Sequence, residues 1–210
     1  MIVFGLGISK RESEKIHSFF NKEDGFRFGL ESDVDKVSWN DSENIIMDRV
    51  KFLQNQIYNN TNNNGKNLKV IGEVAFYMLP YLELLINNFP YLKFVCTHQS
   101  KKKTYDDILS DIRINSNFFM RIILFKKEYK NHWIRHDGSK WEKDYMLDKC
   151  YPKFEVNSLK KSIDKYIDLY HSNLKKIQRK YPKNLRMFYL DELNSDYGKK
   201  KVFSFLEMKQ

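Results

Sequence analysis

Four short apolar runs set the strongest limit on what this chain can fold into: 2–6 (IVFGL), 68–72 (LKVIG), 92–97 (LKFVCT) and 186–190 (RMFYL). Each is brief, rich in β-branched or aromatic residues, and bounded by turn or charged residues, as buried strands are. Helical stretches separate them. Ile45, Ile46, Val50, Leu53 and Ile57 recur at a helical period behind Asp41 or Ser42 as cap. A second helix is expected over 75–88, with Pro80 kinking it or starting its regular part. The longest carries Leu159, Ile163, Tyr166, Ile167, Tyr170, Leu174 and Ile177 as one stripe, capped by Asn157 or Ser158 and stopped before Pro182. A last helix is expected over about 198–208, with Val202, Phe203 and Leu206 facing inward. The tract 59–67 (NNTNNNGKN) has no apolar anchor and is expected to be a loop. Strands alternating with helices specify an α/β fold: three layers, a parallel sheet with helices on both faces. No repeat or linker interrupts the pattern, so residues 1–210 are expected to form one domain.

The composition suits such a fold. A chain of 210 residues that is 41% hydrophobic and 15% aromatic can bury a real core. Its formal net charge of +10 attracts polyanions, whether nucleic acid, an anionic surface or a phosphorylated cofactor, or serves only solubility. No RNA- or DNA-binding motif is present, which ranks nucleic acid last among the partners. Cys96 and Cys150 form neither a CxxC pair nor a disulfide framework, and Cys96 is expected to be buried. The histidines lack zinc-ligand spacing to either thiol, so no metal is expected. No apolar run nears the roughly 20 residues of a membrane span, and 2–6 is short for a signal-peptide core, so a cytoplasmic protein is expected.

In open parallel sheets, ligands sit beyond the carboxyl ends of the strands. That rule selects 7–13, 72–74 and 98–106. The first segment offers the Ser9 and Ser13 hydroxyls, the Lys10 and Arg11 cations, and the N–H groups that open a helix, all suited to phosphate or sulfate oxygens. The third, THQSKKKTYDD, sets three lysines beside a helix start expected at Thr104 and suits a second phosphate. Each segment reads equally as a solvated basic surface.

In this order the segments resemble the sulfotransferase family, P-loop-related enzymes that use 3′-phosphoadenosine 5′-phosphosulfate (PAPS). GISKRESEKI (7–16) is similar to that family's G-x-S-K-T-G-T-T-S-L loop, with Gly7, Ser9 and Lys10 matching and Ser13 standing for a threonine. FPYLKFVCTHQSKKKTYDDIL (89–109) resembles the segment that grips the 3′-phosphate, including Lys101 and Thr104. NHWIRHDGSKWEKDYMLDKCYPKFE (131–155) and RKYPKNLRMFYLDELNSDYGKKKVFSFLEM (179–208) resemble short bacterial, phage and marine members. The resemblance implies a P-loop NTPase-like sulfotransferase fold and transfer of a sulfuryl group from PAPS to a hydroxyl or amine acceptor. It implies that Gly7, Ile8, Ser9, Lys10, Arg11, Ser13, His98 and Asp106 hold the co-substrate. Glu73, seven residues before Pro80, takes the family's base position, and Lys10 would stabilise the leaving phosphate.

The sequence also departs from that pattern. Glu12 stands where the loop has glycine, and Glu14 where it has threonine. His98 replaces an arginine and Asp106 a serine. A carboxylate in a site for a multiply charged anion repels it. These departures imply the alternative, a degenerate sulfotransferase fold that acts as a non-catalytic binding or interaction protein. Glu73 reads equally as a carboxylate at a helix start. His132, Trp133, His136 and Trp141 could line an acceptor pocket or form an aromatic lid. Asp191-Glu192 reads as a helix-capping turn, and His171 is assigned no role.

Overall fold

The structure, a computed structural model, describes residues 1–30, 37–40, 43–63, 68–115, 149–156 and 158–208. Among them β1 (Ile2–Leu6), β2 (Phe26–Leu30), β3 (Val70–Val74), β4 (Lys93–His98) and β5 (Leu185–Tyr189) form one sheet in the order β2-β3-β1-β4-β5. Every pairing is parallel. Parallel neighbours need long crossovers, and helices supply them: α1 (Lys10–Asn21), α2 (Glu43–Asn63), α3 (Leu82–Asn88), α4 (Lys101–Asn115), α5 (Leu159–Lys180) and α6 (Asp196–Phe205).

The two faces of β1 show how the layers form. Ile2, Phe4 and Leu6 point into a core shared with α2, α3, α4 and α5. Val3 points the other way, into a core shared with α1 and α6 through Ile16, Phe19, Phe20, Val202 and Phe203. Alternate residues thus serve opposite layers, as the period of a strand requires. α1 lies very close to the sheet: a Cβ on Gly5 would meet Ile16 Cγ2 at 2.7 Å and Val74 Cγ2 at 2.9 Å. Gly72 is tighter still, because a Cβ there would lie 2.2 Å from the Val3 carbonyl oxygen.

α5 follows its sequence pattern: Ile163, Tyr166, Ile167, Tyr170, Leu174 and Ile177 are all buried, and the helix stops at Lys180 before Pro182. Ser158 is its N-cap residue, although its side chain accepts no capping bond. Pro80 lies inside a 3₁₀ turn, Phe76–Tyr81, and the regular helix α3 starts just after it. Proline lacks the N–H that a helix interior needs, so the regular hydrogen bonding begins beyond it.

Four expectations need correction. β2 is a fifth strand, at the sheet edge beside β3. β3 spans 70–74 rather than 68–72, so Glu73 lies within the strand, opposite Phe4, and not after it. α2 continues to Asn63, so 59–63 is helical and not loop. α4 starts at Lys101 rather than Thr104, because the Ser100 hydroxyl accepts from Lys103 N at 3.3 Å and caps it there. The caps Asp41, Ser42 and Asn157, the remainder of the asparagine tract, and His132, Trp133, His136 and Trp141 lie outside the described residues. Among those described, no helix is long and apolar enough to cross a membrane, and no cluster of His, Cys, Asp and Glu could hold a metal.

Candidate functional site

The carboxyl ends of β1 and β4 lie side by side, since Leu6 pairs with Cys96. Beyond β1 the chain turns through Gly7, Ile8 and Ser9 into α1 within three residues. The turn is closed by its own polar groups. Ser9 is the N-cap, its Oγ accepting from Glu12 N at 3.3 Å and its carbonyl from Ser13 N at 3.0 Å. Ser13 Oγ donates back to the Gly7 carbonyl at 3.3 Å. A Cβ on Gly7 would meet Ser13 N at 2.6 Å and the Glu12 carbonyl carbon at 2.8 Å, so the first turn of α1 sits directly on this glycine. Ile8, Ser9 and Ser13 are buried.

Glu12 decides the character of the loop. Its side chain is fully buried and turned toward β4, where Thr97 Oγ1 donates to Oε2 at 2.9 Å. Oε1 has no hydrogen-bond partner. Burial pushes the Glu12 carboxyl up to about 7; the Thr97 hydroxyl and the Ile8 backbone N–H pull it down, and Asp107 pushes it up. Asp111 on α4 is also raised by burial, with Lys10 opposing through its charge and its backbone N–H. Glu12 N is taken by Ser9 Oγ, and the Ile8 and Lys10 N–H groups favour the charged forms of the Glu12 and Asp111 carboxyls. These are the donors with which a helix start would hold an anion.

Several of the surrounding cations are engaged as well. Lys10 is 61% exposed and pairs with Glu14 at 3.7 Å, one helical turn on. Arg11 reaches Asp107 at 3.3 Å, and Gln99 Nε2 donates to the same carboxylate at 2.6 Å. Lys101 pairs with Asp168 at 2.7 Å, while Lys103 and Lys15 meet Asp191 at 3.4 and 3.5 Å. Glu14 is 54% exposed, and Asp106 also faces solvent. Of the anomalous carboxylates in this region, Glu12 alone is turned inward.

Glu73 lies on the opposite face from α1, with both oxygens occupied. Tyr77 Oη donates to Oε1 at 2.9 Å, and Arg49 Nε of α2 donates to Oε2 at 2.8 Å. The carboxylate is 2% exposed and its guanidinium partner 13%. A buried ion pair held this way is a structural clamp. A general base must reach an acceptor proton, and here that requires the buried clamp to open at one oxygen or the other.

At the end of β4, His98 lies against the Tyr189 ring, with centroids 4.1 Å apart. Burial and the Lys175 charge hold the His98 imidazole below its ordinary value, against Glu192. His171, on α5, is pushed down to about 4 by burial and by its neighbours His98 and Lys175. Its Nε2 is buried with no partner. The sequence does hold a signal for this second imidazole: His171 immediately follows Tyr170 on the buried stripe, at the boundary of the apolar face. Both rings favour the neutral form, so neither brings a full positive charge to this end of the sheet at neutral pH.

The structure therefore brings Gly7, Ile8, Ser9, Ser13 and Glu12 together at the end of β1. It turns Lys10 and Arg11 outward to carboxylates, leaves Asp106 on the surface, and places Glu73 on the other face of the sheet. No protein-family model matches the chain, and no characterised protein matches it in sequence. Among solved structures, the crystal structure of a sulfotransferase from Alicyclobacillus acidocaldarius is similar over 99% of this chain and 81% of its own, with a TM-score of 0.54 at 10% identity. The sulfotransferase domain from the curacin biosynthetic pathway matches over 100% of this chain and 74% of its own, with a TM-score of 0.49 at 9% identity. The first likeness establishes the class of fold, an α/β sheet flanked by helices of the general sulfotransferase-like kind. Function rests on the site and not on the fold.

Proposed function

We propose that this chain is a sulfotransferase-fold protein that acts by binding rather than by sulfuryl transfer. One observation carries this reading: Glu12 is buried beneath the loop after β1, hydrogen-bonded to Thr97. The residues present do not fit PAPS in this arrangement. Its phosphosulfate would meet the buried Glu12 carboxyl, with Asp107 and Asp111 close by, where the charge must be positive. Glu73, clamped by Arg49 and Tyr77, likewise presents no oxygen to an acceptor. The test is direct. Incubation with labelled PAPS and a panel of hydroxyl and amine acceptors at neutral pH should yield no labelled product above a protein-free control. Turnover abolished by Lys10→Ala would overturn the reading.

A second reading, PAPS-dependent sulfuryl transfer, has one observation in its favour. Ser9 and Lys10 open α1 at the carboxyl end of β1, within a fold similar to a sulfotransferase. In that reading Gly7, Ile8, Ser9, Lys10, Arg11, Ser13, His98 and Asp106 hold the nucleotide, and Glu73 and Lys10 flank the reacting centre. It requires Glu12 to leave the loop and Glu73 to leave its clamp. Those two movements distinguish it from the first reading.

A further inference from the structure

We propose that Glu12 is a built-in occupant of the loop after β1: its carboxyl takes the place of an external anion and must be neutralised or displaced before a phosphate- or sulfate-bearing ligand binds. The inference rests on the reading of the loop as a degenerate anion site and explains what keeps it shut.

Three observations converge on one side chain. The position lies in the first turn of a 12-residue helix, where free N–H groups favour negative charge. The carboxyl folds inward and takes the Thr97 hydroxyl at 2.9 Å, and the Ile8 N–H favours its charged form, as it would a bound anion. Its second oxygen is fully buried and accepts no hydrogen bond of ordinary length. That arrangement suits a carboxyl alternating between an ionised plug and a neutral acid. A glycine here would leave the same donors facing an empty space.

The charged groups on the elements around α1 set the balance. On α1 itself Lys10 and Arg11 are drawn away by Glu14 and Asp107. α4 contributes Asp107 and Asp111, and β4 contributes the Cys96 thiol, which burial and Glu12 hold protonated. Asp191 and Glu192, after β5, are engaged by Lys15, Lys103 and Lys201. Glu73 of β3 is paired with Arg49 on the other face. Asp107 is the charged neighbour that acts on Glu12, and it disfavours ionisation, as burial does. The plug is therefore removable by a proton near neutral pH.

The expected size follows from population arithmetic. With a carboxyl titrating at about 7, the neutral, binding-competent form falls from about nine-tenths at pH ~6 to about one-tenth at pH ~8. Apparent affinity scales with that fraction, which gives about a tenfold loss across the range. The experiment is calorimetric titration of the whole chain with inorganic pyrophosphate and with 3′,5′-adenosine bisphosphate, at both pH values and fixed ionic strength. Glu12→Gln is measured beside the wild type, so that titration of the ligand itself cancels. Glu12→Ala serves as the second variant should the glutamine fail to fold.

Wild type is expected to bind pyrophosphate about tenfold more weakly than Glu12→Gln at pH ~8, and equally at pH ~6. If the variant binds no more tightly than wild type at pH ~8, the proposal is overturned. Equal wild-type affinity relative to the variant at both pH values also overturns it. Tighter binding of pyrophosphate but not of the bisphosphate supports the plug and removes nucleotide specificity from the site. The fate of the binding-protein reading is separate, because it turns on labelled transfer by the wild type and not on either variant.

Discussion

Replacing Glu12 by glutamine should flatten the dependence of stability on pH. The native carboxyl titrates at about 7 against an ordinary 4.5. Between those values the folded chain holds a proton that the unfolded chain has released, so stability falls as pH rises. The contribution is fully present below 4.5 and is lost as pH passes through about 7. At about 1.4 kcal/mol per pH unit, the difference amounts to about 3 kcal/mol between pH ~5 and pH ~8. Glutamine keeps an oxygen for Thr97 and has no charge to bury. It adds an amide N–H₂ in the place of an oxygen that lacks a partner, at a pH-independent cost of about 1 kcal/mol. The readout is urea unfolding of both proteins at several pH values, taken as the difference between them. His171, whose low value lowers stability as pH falls from 6.5 toward about 4, acts in both proteins and cancels. A constant difference across the range would refute the assignment of a buried, upward-shifted carboxyl at Glu12.

Arg49→Met should destabilise the fold by about 3 kcal/mol, because it strands the buried Glu73 carboxylate; the double variant with Glu73→Gln should recover much of that loss in the same unfolding assay. Gly72→Ala should cost about 3 kcal/mol or prevent folding, since the added methyl strikes the Val3 carbonyl, and thermal melting reads it. Lys10→Ala should change stability by less than about 0.5 kcal/mol, because it removes an exposed pair one helical turn apart and a solvent-screened attraction to Asp111. In a nuclear magnetic resonance titration the His171 ring should change charge near pH 4, well below an ordinary histidine.

The extent to which the sequence disclosed this structure follows from the range of the forces involved. β1 and α5 are legible because their patterns are local: a short apolar run and a stripe recurring at a helical period. β2 was hidden because Arg27 and Gly29 interrupt its apolar residues, and because an edge strand is only half covered. The end of β3 depends on pairing with β1, so Glu73 read as following a strand of which it is part. α2 runs into asparagines that are poor helix formers, and local propensity gave no sign of it.

The site divides in the same way. Gly7 and Ser9 at the end of β1 announce a helix start from sequence alone. The direction of Glu12 does not, because it is set by Thr97, 85 residues away in the chain. The clamp on Glu73 likewise joins α2 to β3 across 24 residues. Charge pairing of Lys101 with Asp168 and of Lys103 with Asp191 spans 67 and 88 residues. A loop shaped to open a helix was visible in the residues; what fills it became visible only once β4 and α4 were set beside it.

In the proposed arrangement the buried Glu12 carboxyl closes the loop after β1 to an external anion. Calorimetric titration of the wild-type protein with PAPS at pH ~8 tests it most directly. No saturable heat is expected up to about millimolar ligand, corresponding to binding weaker than about −4 kcal/mol. A micromolar dissociation constant under those conditions would contradict it.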